Sequence, residues 1–415
     1  MTAPLVPRDA AEAEEAVRWA LGAGKTLEVI GRGSKRALGR PAQTDATLDL
    51  SGLAGITLYE PKELVLSARA GTPIAVVEAL VAENGQALAF EPMDLSALLG
   101  GAPGEGTLGG VLATNLSGPR RLKAGAARDH VLGFSAVSGR GETFKAGGRV
   151  VKNVTGYDLS KLMAGSFGTL AALTDVTIKT LPRAETEASV LLLGLMPEAA
   201  VAAMAAAMGS PFEVSGAAHL PAGVAARTAV AGLPDDRAVT ALRLEGVGPS
   251  VAHRRDGLLR LLAAHGACEG LALDASRALW KAVRDVTPFA ASGTPEADRP
   301  VWRISTAPSR GAEIAALIAA ATDAEVLFDW AGGLVWAAVA PSADAGAADA
   351  GASAVRAATA RCGGHATLIR APAAVRAVVD VFEPQPGPLA VLTRRIKESF
   401  DPRGVLCPGR MWAGV

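Results

Sequence analysis

Cysteine is scarce in this 415-residue sequence. Its three cysteines, Cys268, Cys362 and Cys407, lie far apart, and none belongs to a Cys-x-x-Cys pair. Iron–sulfur clusters are held by closely spaced cysteines, so this chain alone offers no plausible iron–sulfur site. An odd number of scattered thiols fits the reduced state of a cytoplasmic protein.

The sequence also lacks an excess of charge of one sign. It has 41 Lys and Arg against 41 Asp and Glu, so no broad field would attract nucleic acid or an anionic membrane. No uninterrupted apolar run reaches about 18 residues, and residues 1–29 do not have the pattern of a signal peptide. We expect a soluble, cytoplasmic protein that binds no nucleic acid and meets the inner membrane only through partner subunits.

Tyrosine occurs only twice, whereas glycine occurs 47 times and alanine is also abundant. Small side chains suit tight packing, and the length is sufficient for two or three domains with their own cores. Half of the residues are apolar and a fifth are charged, which argues against disorder.

Glycine is concentrated between residues 104 and 180, where four Gly/Ser/Thr-rich turns alternate with apolar runs at 131–138 and 173–180. Such runs are typical of buried strands. Glycine has no Cβ, so these turns let the backbone approach a ligand and point several N–H groups at one spot. The pattern predicts a sheet whose loops hold a phosphate or the edge of a flavin.

An earlier loop has similar chemistry. A strand candidate at 27–30 leads into residues 31–36, Gly-Arg-Gly-Ser-Lys-Arg, which offer N–H groups, a hydroxyl and three cations. These groups would neutralise a diphosphate. Taken alone, the loop is weak evidence for phosphate binding, and a solvated basic turn is the simpler interpretation.

The hydrophobic spacing predicts an α/β arrangement for the first 90 residues, followed by a Pro/Gly-rich link at 91–106. The predicted elements are a helix at 7–21, strands at 27–30, 47–50, 56–59 and 64–69, and a helix at 74–83.

The middle of the chain repeats one order of elements. The first set is strand 189–195, helix 197–208, strands 212–217 and 240–244, and helix 251–265, with a further helix at 274–286. The second set is strand 301–305, helix 311–321, strands 325–330 and 334–340, helix 344–362 and strand 365–370. The repeat predicts a ferredoxin-like duplication.

These pieces together resemble the FAD-binding domain of the vanillyl-alcohol oxidase / p-cresol methylhydroxylase family, over about the first 180 residues and the last 20 or so. The likeness is greatest to the FAD-binding E subunits of bacterial glycolate oxidases (glycolate dehydrogenases). The motifs that carry the resemblance are residues 31–36, 39–41, 48–51, 60–61, 68–73, 88–92, 106–110, 116–121, 128–129, 152–158 and 163–170.

The resemblance implies an α+β fold with three parts. A two-lobed PCMH-type FAD-binding domain would span residues 1–183, with lobes at about 1–90 and 104–183. A cap with the ferredoxin-like duplication would span 184–375, and a segment at 388–415 would return to the FAD domain. The first loop has no His or Cys to tether a flavin, so FAD is expected to bind non-covalently.

The resemblance also implies the FAD contacts, residue by residue. The loops at 31–35 and 104–110 would face the diphosphate and isoalloxazine. Residues 117–118, Arg128 and residues 165–169 would surround the flavin and ribityl chain, and Val176 would lie near the adenine end. For any single glycine a plain turn is an equally open reading; at Gly109 a branched side chain is expected to meet the cofactor. The implied set is Gly31, Arg32, Gly33, Ser34, Lys35, Gly106, Thr107, Leu108, Gly109, Gly110, Thr114, Ser117, Gly118, Arg128, Gly165, Ser166, Gly168, Thr169 and Val176.

The predicted cap offers candidates for binding a hydroxy-acid substrate. Such a substrate needs a cation for its carboxylate and an apolar wall against water. Arg284 and Arg303 are candidate cations, and Trp280 is the candidate wall. Ordinary salt bridges for both arginines and a core position for Trp280 are the simpler alternative.

Histidine is poorly placed for catalysis in this sequence. Related catalytic subunits of the family carry a His-rich metal site in the cap, but His219, His253, His265 and His365 lack the paired spacing of metal ligands. His130, beside an apolar strand, is more typical of a structural histidine. The sequence therefore predicts no metal site and favours an FAD-carrying subunit that works in a complex.

The tail carries one departure from the family pattern. After a helix predicted at 389–400, Cys407 precedes Pro408-Gly409, where the family usually has Asn. Packing is the expected role of Cys407, ahead of a lost amide hydrogen bond near the flavin or a redox role.

The resemblance implies a subunit of a glycolate oxidase or dehydrogenase complex. A homologous larger FAD subunit would oxidise glycolate to glyoxylate, and an iron–sulfur subunit would carry the electrons onward. Two alternatives stay open: a stand-alone FAD-dependent 2-hydroxy-acid dehydrogenase of the D-lactate type, and a non-catalytic assembly subunit.

Overall fold

The computed structural model describes residues 3–149, 156–293, 298–340 and 349–415. Part of the motif at 152–158 and the start of the helix predicted at 344–362 lie outside these residues. The described chain is a mixed helix and sheet structure, as the sequence predicts. Within it, no helix combines the length and apolarity that crossing a bilayer requires.

The first part of the chain contains short helices and two main groups of strands. Its strands are β1 (Leu27–Ile30), β2 (Ala46–Asp49), β3 (Ile56–Glu60), β4 (Val65–Arg69), β5 (Gln86–Ala87), β6 (Val131–Ser138), β7 (Thr143–Gly147), β8 (Ala171–Lys179) and β9 (Leu181–Pro182). Its helices are α1 (Ala10–Ala23), α2 (Ile74–Glu83), α3 (Ser96–Leu99), α4 (Leu108–Thr114), α5 (Arg121–Ala124) and α6 (Leu159–Met163).

A five-stranded antiparallel sheet forms the centre of this part, in the order β3-β4-β8-β6-β7. It takes two strands from before residue 90 and three from after residue 104, so the two predicted lobes share one sheet. Leu66, Phe134 and Val176 of this sheet pack with Val77 of α2 and Val111 of α4 in one core. This packing places the loop before α4 against the end of β4.

The C-terminal segment joins the first part of the chain. Strand β1 pairs in parallel with β2 on one side and makes a bridge from Leu27 to Leu406 on the other. The Nζ of Lys397 donates to the Asp401 carboxylate at 2.6 Å and to the carbonyls of Thr169 and Leu406 at 2.6 and 2.8 Å. A fully satisfied, buried ammonium therefore fastens the tail to the turn at 166–169.

The second part is built on one eight-stranded antiparallel sheet. Its strands are β10 (Thr186–Leu193), β11 (Gly216–Leu220), β12 (Val239–Gly246), β13 (Cys268–Leu271), β14 (Val301–Ser305), β15 (Ala324–Asp329), β16 (Leu334–Val339) and β17 (His365–Arg370). The helices from here to the end are α7 (Pro197–Met208), α8 (Ala222–Ala226), α9 (Gly248–Leu262), α10 (Leu273–Asp285), α11 (Gly311–Ala321), α12 (Ala352–Cys362), α13 (Ala373–Val378) and α14 (Gly387–Phe400).

The strand order confirms the predicted duplication. The sheet runs β13-β10-β12-β11-β15-β16-β14-β17, which is two β-α-β-β-α-β units, each with its second strand at the centre of the whole sheet. The units meet where His219 of β11 pairs with Phe328 of β15. Two ferredoxin-like units thus share one continuous sheet.

The two faces of this sheet have different partners. On one face, Met204 of α7 and Ile314 of α11 belong to cores made with the helices. On the other face, Trp336 and Trp280 share a core with Leu98 and Leu116 of the first part. The strand residues on this second face therefore meet the loops that follow β5 and α4.

Several element boundaries differ from the sequence prediction, and two of the differences have a clear local cause. Helix α1 begins at Ala10 because Asp9 caps it, with the Asp9 Oδ1 accepting the Glu12 N–H at 2.9 Å. The strand predicted at 212–217 is β11, which begins at Gly216, because Glu213 adopts a left-handed turn conformation with φ of 51°. Hydrophobic spacing does not report such local turn geometry.

The sequence analysis also missed β7 and β13. Both lie at sheet edges, and each contains glycine and half-exposed or exposed residues. Edge strands bury little apolar surface, so they lack the continuous hydrophobic signal of the central strands. The predicted domain limits at 183 and 375 stay a prediction.

A buried ionic network holds the two parts together. Arg243 of β12 donates to both carboxylate oxygens of Glu91, at 2.8 and 3.1 Å. The Arg120 backbone N–H donates to Glu91 at 2.6 Å, and the Arg120 guanidinium donates to Glu245 at 2.6 and 3.0 Å. Burial by itself would raise the pKa of Glu91, but Arg243 and Arg120 outweigh it and lower that pKa to about 2.

We expect Glu91→Gln to lower the free energy of unfolding by about 3–5 kcal/mol, because it leaves the buried Arg243 charge uncompensated. The folded pKa of Glu91, about 2, lies below the ordinary value of 4.5, so its contribution is full at neutral pH and is lost between about pH 4.5 and 2. Denaturant unfolding at several pH values measures both effects. The exposed pair partner Glu313, changed to Gln, is the control; equal midpoints for the two variants would contradict the assignment.

Candidate functional site

The glycine-rich loops predicted to act together converge on one cleft. The cleft lies where the end of β1 meets the first turn of α4 and the turn at 166–168. The predicted residues that line it are Gly31, Arg32, Gly33, Ser34, Lys35, Thr107, Gly109, Gly110, Thr114, Ser166 and Gly168. Loops more than seventy residues apart in sequence therefore form one surface.

Other lining residues were missed by sequence reasoning. Most are apolar, and some lie within the quoted motifs without having been selected; they are Val29, Ile30, Leu50, Ala70, Ala113, Phe167, Ala171 and Leu173. Arg36 lies in the predicted loop but was not selected, and Arg410 reaches the cleft from the tail. The position of Arg410 directly after Pro408-Gly409 is the one sequence signal that could have indicated it.

Several predicted residues lie outside the cleft lining. They are Gly106, Leu108, Ser117, Gly118, Arg128, Gly165, Thr169 and Val176. Val176 is fully buried in the core of the five-stranded sheet, and the Arg128 side chain is about half exposed. Their assignment as FAD contacts stays a prediction.

Two of the hydroxyl groups expected to face a cofactor are occupied by the protein itself. The Thr169 Oγ1 donates to the Ser166 carbonyl at 2.7 Å, and the Thr114 Oγ1 donates to the Gly110 carbonyl at 2.9 Å. The Ser117 Oγ accepts the Ala127 N–H at 3.0 Å. These hydroxyls shape the turns around the cleft.

The three cations of the first loop have different surroundings. Arg32 pairs with Glu105 and Arg36 pairs with Glu28. The Lys35 Nζ makes no ion pair or hydrogen bond with any residue that the structure describes, and burial lowers the pKa of Lys35 although Asp94 opposes this. Lys35 is therefore the cation of this loop that remains available to an anion in the cleft.

Arg410 of the C-terminal segment is hydrogen-bonded to the backbone of the loop at 31–36. Its Nη2 donates to the carbonyls of Lys35 and Arg36 at 3.2 and 3.1 Å, and its Nη1 donates to Glu28 at 3.3 Å. The side chain is buried, and its Nε has no partner among the described residues. The C-terminal segment thus sets the position of the loop.

Close packing explains two of the glycines. A Cβ at Gly31 would lie 2.5 Å from the Thr107 Oγ1, and a Cβ at Gly109 would lie 2.8 Å from the Ala70 Cβ and 3.0 Å from the Ala70 carbonyl oxygen. This corrects the expectation for Gly109, because a side chain there would strike the end of β4 rather than a cofactor. The two glycines let the loop and α4 approach each other and the sheet.

Cys407 supports the wall of the cleft. Its φ is 44°, in the left-handed region that Asn tolerates better than most residues. Its Sγ accepts the Val29 N–H at 3.2 Å, and burial raises the pKa of the thiol. A buried, protonated thiol is unreactive, so the structure favours the packing role.

On the eight-stranded sheet, two of the three predicted substrate residues have structural partners. The Trp280 Nε1 donates to the Ser189 Oγ at 2.8 Å within the core. The Arg284 guanidinium makes two hydrogen bonds of 2.8 Å to Asp285. For these two residues the simpler alternative of core packing and an ordinary salt bridge describes the structure.

Arg303 differs from Arg284. It has no carboxylate partner among the described residues, and its buried Nε has no acceptor. Its guanidinium lies 4.9 Å from the Trp330 ring and 6.0 Å from the Trp336 ring. Burial lowers the pKa of Arg303 to about 10, and nearby Arg121 adds to the effect.

Trp330 connects Arg303 to the first part of the chain. Its Nε1 donates to the Gly118 carbonyl at 3.2 Å, and the Arg121 guanidinium lies 4.2 Å from its ring. The preceding Asp329 is buried, and burial raises its pKa to about 7. Sequence reasoning assigned no role to Arg121, Asp329 or Trp330, because no local pattern marks them.

The histidines do not converge. His219 bonds the Thr240 hydroxyl through Nδ1 at 2.9 Å, and burial lowers its pKa to about 4. His130 is buried, and its Nε2 contacts the Ala124 carbonyl at 2.9 Å, so it has a structural position. Across the described ranges no group of His, Cys, Asp or Glu could hold a metal ion; the absence of a metal stays a prediction.

Comparison with known proteins agrees with this geometry. A family model for an FAD binding domain matches residues 2–147. A solved structure of 4-ethylphenol oxidase from Gulosibacter chungangensis aligns with 98% of this chain and 89% of that chain, with a TM-score of 0.70 and 15% identity. At this identity the similarity shows the fold alone, and it confirms the predicted fold class.

Relatives in sequence are more informative. The chain is 33% identical over 401 residues to glycolate oxidase subunit GlcE of Escherichia coli (strain K12), and the match covers 96% of each chain. It is 41% identical over 87 residues to glycolate oxidase subunit GlcD of Bacillus subtilis (strain 168), which covers 21% of this chain and 18% of that one. This chain therefore belongs to the family of FAD-linked oxidoreductases that contains glycolate oxidase subunit GlcE, and its cofactor is FAD.

Proposed function

We propose that this chain is the FAD-carrying subunit of a complex that oxidises a small 2-hydroxy acid, with glycolate, which would give glyoxylate, as the first candidate. The observation that carries the proposal is the convergence of the predicted loops on one cleft, in a chain similar to GlcE over nearly its whole length. The alternatives of a stand-alone dehydrogenase and an assembly subunit are outcomes of the test below.

The cleft residues would bind the phosphates of FAD. Lys35 supplies a positive charge without a carboxylate partner, and the loop from Gly31 to Ser34 supplies N–H groups and a hydroxyl. The resemblance puts the flavin ring near Ser117 and Gly118. Gly118 lies close to the eight-stranded sheet, because its carbonyl accepts a hydrogen bond from the indole Nε1–H of Trp330.

Oxidation of a 2-hydroxy acid needs a hydride acceptor and a base. FAD, when bound, supplies the acceptor. Among the residues around Trp330, Asp329 has the chemistry of a base, because burial raises its pKa to about 7 and its Oδ1 accepts one hydrogen bond, from the Trp330 N–H at 2.7 Å. A group with a pKa near the working pH can accept the hydroxyl proton.

The proposed partners are a homologous larger FAD subunit and an iron–sulfur subunit. The first is supported by the similarity to GlcD, which like GlcE is a subunit of glycolate oxidase by name. The second rests on the cysteines of this chain: Cys268, Cys362 and Cys407 are all free, so electrons that leave the flavin need a carrier on another chain.

Anaerobic mixing of the purified chain with glycolate or D-lactate tests the proposal, with the absorbance of oxidised flavin as the readout. We expect a yellow protein that bleaches only after the partner subunits are added. Bleaching of the single chain would show a complete hydroxy-acid site, and a colourless protein would favour the assembly role. Acetate, which lacks the hydroxyl group, is the control substrate.

We expect Lys35→Met to weaken FAD binding ten- to a hundredfold, because a hydrogen bond to a charged group is worth about 1.5–3 kcal/mol. Lys161→Met is the matched control, since Lys161 is exposed and paired with Asp158 at 3.1 Å. Titration of FAD into the flavin-free variants measures the dissociation constants. Equal constants for both variants would place the phosphates away from Lys35.

A further inference from the structure

Two arginines without carboxylate partners meet at one tryptophan. Arg121 comes from the first part of the chain and Arg303 from the eight-stranded sheet, and their guanidinium groups lie 4.2 and 4.9 Å from the Trp330 ring. Neither side chain forms an ion pair or hydrogen bond with any part of the chain that the structure describes. Both residues are partly exposed, whereas the Arg303 Nε is buried without an acceptor.

Other arginines between the two parts of the chain do have carboxylate partners. Arg243 donates to both oxygens of Glu91, Arg120 to Glu245, and Arg284 to Asp285. Three arginines thus have bidentate or paired carboxylates, while Arg121 and Arg303 do not. Removing like charges from water without an anion is unfavourable, and burial lowers the pKa of both groups.

The carboxylates that act on the two arginines form no ion pair with them: these are Asp129 for Arg121 and Asp329 for Arg303. Asp329 interacts with Arg303 but forms no ion pair with it, and its Oδ1 accepts the Trp330 N–H. Glu91, Arg243 and Arg303 are the charged groups that act on Asp329. Because burial raises the pKa of Asp329 to about 7, this carboxylate carries only a partial charge at neutral pH.

The backbone at Trp330 is held in a costly conformation. Trp330 and Ala331 have φ of 50° and 56°, in the left-handed region that non-glycine residues avoid. Such conformations are strained and cluster at functional sites. Here the Trp330 ring lies within 4.9 Å of both guanidinium groups, and its Nε1 donates to the Gly118 carbonyl.

The strand register shows where the sheet face that contains Arg303 reaches solvent. Arg303 pairs with Trp336 of β16 and with Thr367 of β17, and the next residue on the same face, Ser305, pairs with His365. His365 is exposed. The arginines therefore lie on a face of the sheet that reaches solvent at its β17 edge.

We propose that Arg121 and Arg303 form a binding site for the carboxylate of a small organic acid, with Trp330 as the platform that orients both groups. This assignment rests on the proposed function, since the acid would be the 2-hydroxy acid to be oxidised. A guanidinium matches the geometry of a carboxylate with two parallel hydrogen bonds. Arg284, the other sequence candidate, is already used by Asp285.

Oxalate is the probe, because it carries carboxylates but no C–H bond that could be oxidised. Calorimetric titration of the FAD-loaded chain with oxalate compares the wild type with Arg303→Met and Arg121→Met. We expect the dissociation constant to rise at least tenfold in each variant. Arg310→Met is the control, since Arg310 is an exposed arginine of the same part of the chain, paired with Glu313.

Thermal unfolding without oxalate separates a binding role from a structural one. Each variant removes an unpaired charge, so we expect its melting temperature to equal or exceed that of the wild type. A structural role predicts a lower one. If Arg303→Met does not fold, Arg303→Gln, which keeps hydrogen-bonding groups but not the charge, serves in the same titration.

The outcomes distinguish this site from the function on which it rests. No oxalate binding by the wild type, or equal binding by the wild type and both variants, would overturn the carboxylate site. Oxalate binding that both variants lose, in a protein whose flavin no 2-hydroxy acid reduces even with partner subunits, would keep the site and overturn the oxidase function. Equal oxalate binding by the wild type and both variants, in a complex whose flavin glycolate does reduce, would keep the function and overturn the site.

Discussion

The buried pair of Glu91 and Arg243 is the interaction on which the arrangement of the molecule depends. Arg243 is almost fully buried, so its charge is tolerated only because both oxygens of Glu91 face it. The Glu91 backbone carbonyl also accepts the Gly118 N–H at 3.0 Å, and the Gly118 carbonyl accepts the indole Nε1–H of Trp330. One ion pair therefore sets both the contact between the sheets and the position of the residues around Trp330.

The arginines between the two parts of the chain fall into two groups, those with a carboxylate partner and those without one. Where a carboxylate is present, as for Arg120, Arg243 and Arg284, the charge holds the structure together. Where it is absent, as for Arg121 and Arg303, the charge is free for chemistry with a ligand. Buried charge that the fold leaves uncompensated is a physical reason to look for a ligand.

The cleft proposed to bind FAD depends on contacts between distant parts of the chain. Arg410 braces the loop that contains Lys35, and Lys397 fastens the tail to the turn at Thr169. Both side chains act through backbone carbonyls, which have no signature in the sequence. The C-terminal segment is thus a structural component of the cleft. The loops take their positions only when this segment packs on the first part of the chain.

The sequence by itself predicted most of the central helices and strands, the internal duplication and the loops that line the cleft. β1, β6, α2 and α7 have the predicted bounds, because periodic burial and the residues at helix ends are local properties. The family and FAD followed from many short motifs in one order.

Only the tertiary structure decided which of these residues face the cleft and which are used elsewhere. Gly109 packs on Ala70, the Thr169 hydroxyl bonds within its own turn, and Arg284 is paired whereas Arg303 is not. The physical reason is that the availability of a polar group depends on its partners. Those partners come from segments far away in sequence, so no local pattern reports them.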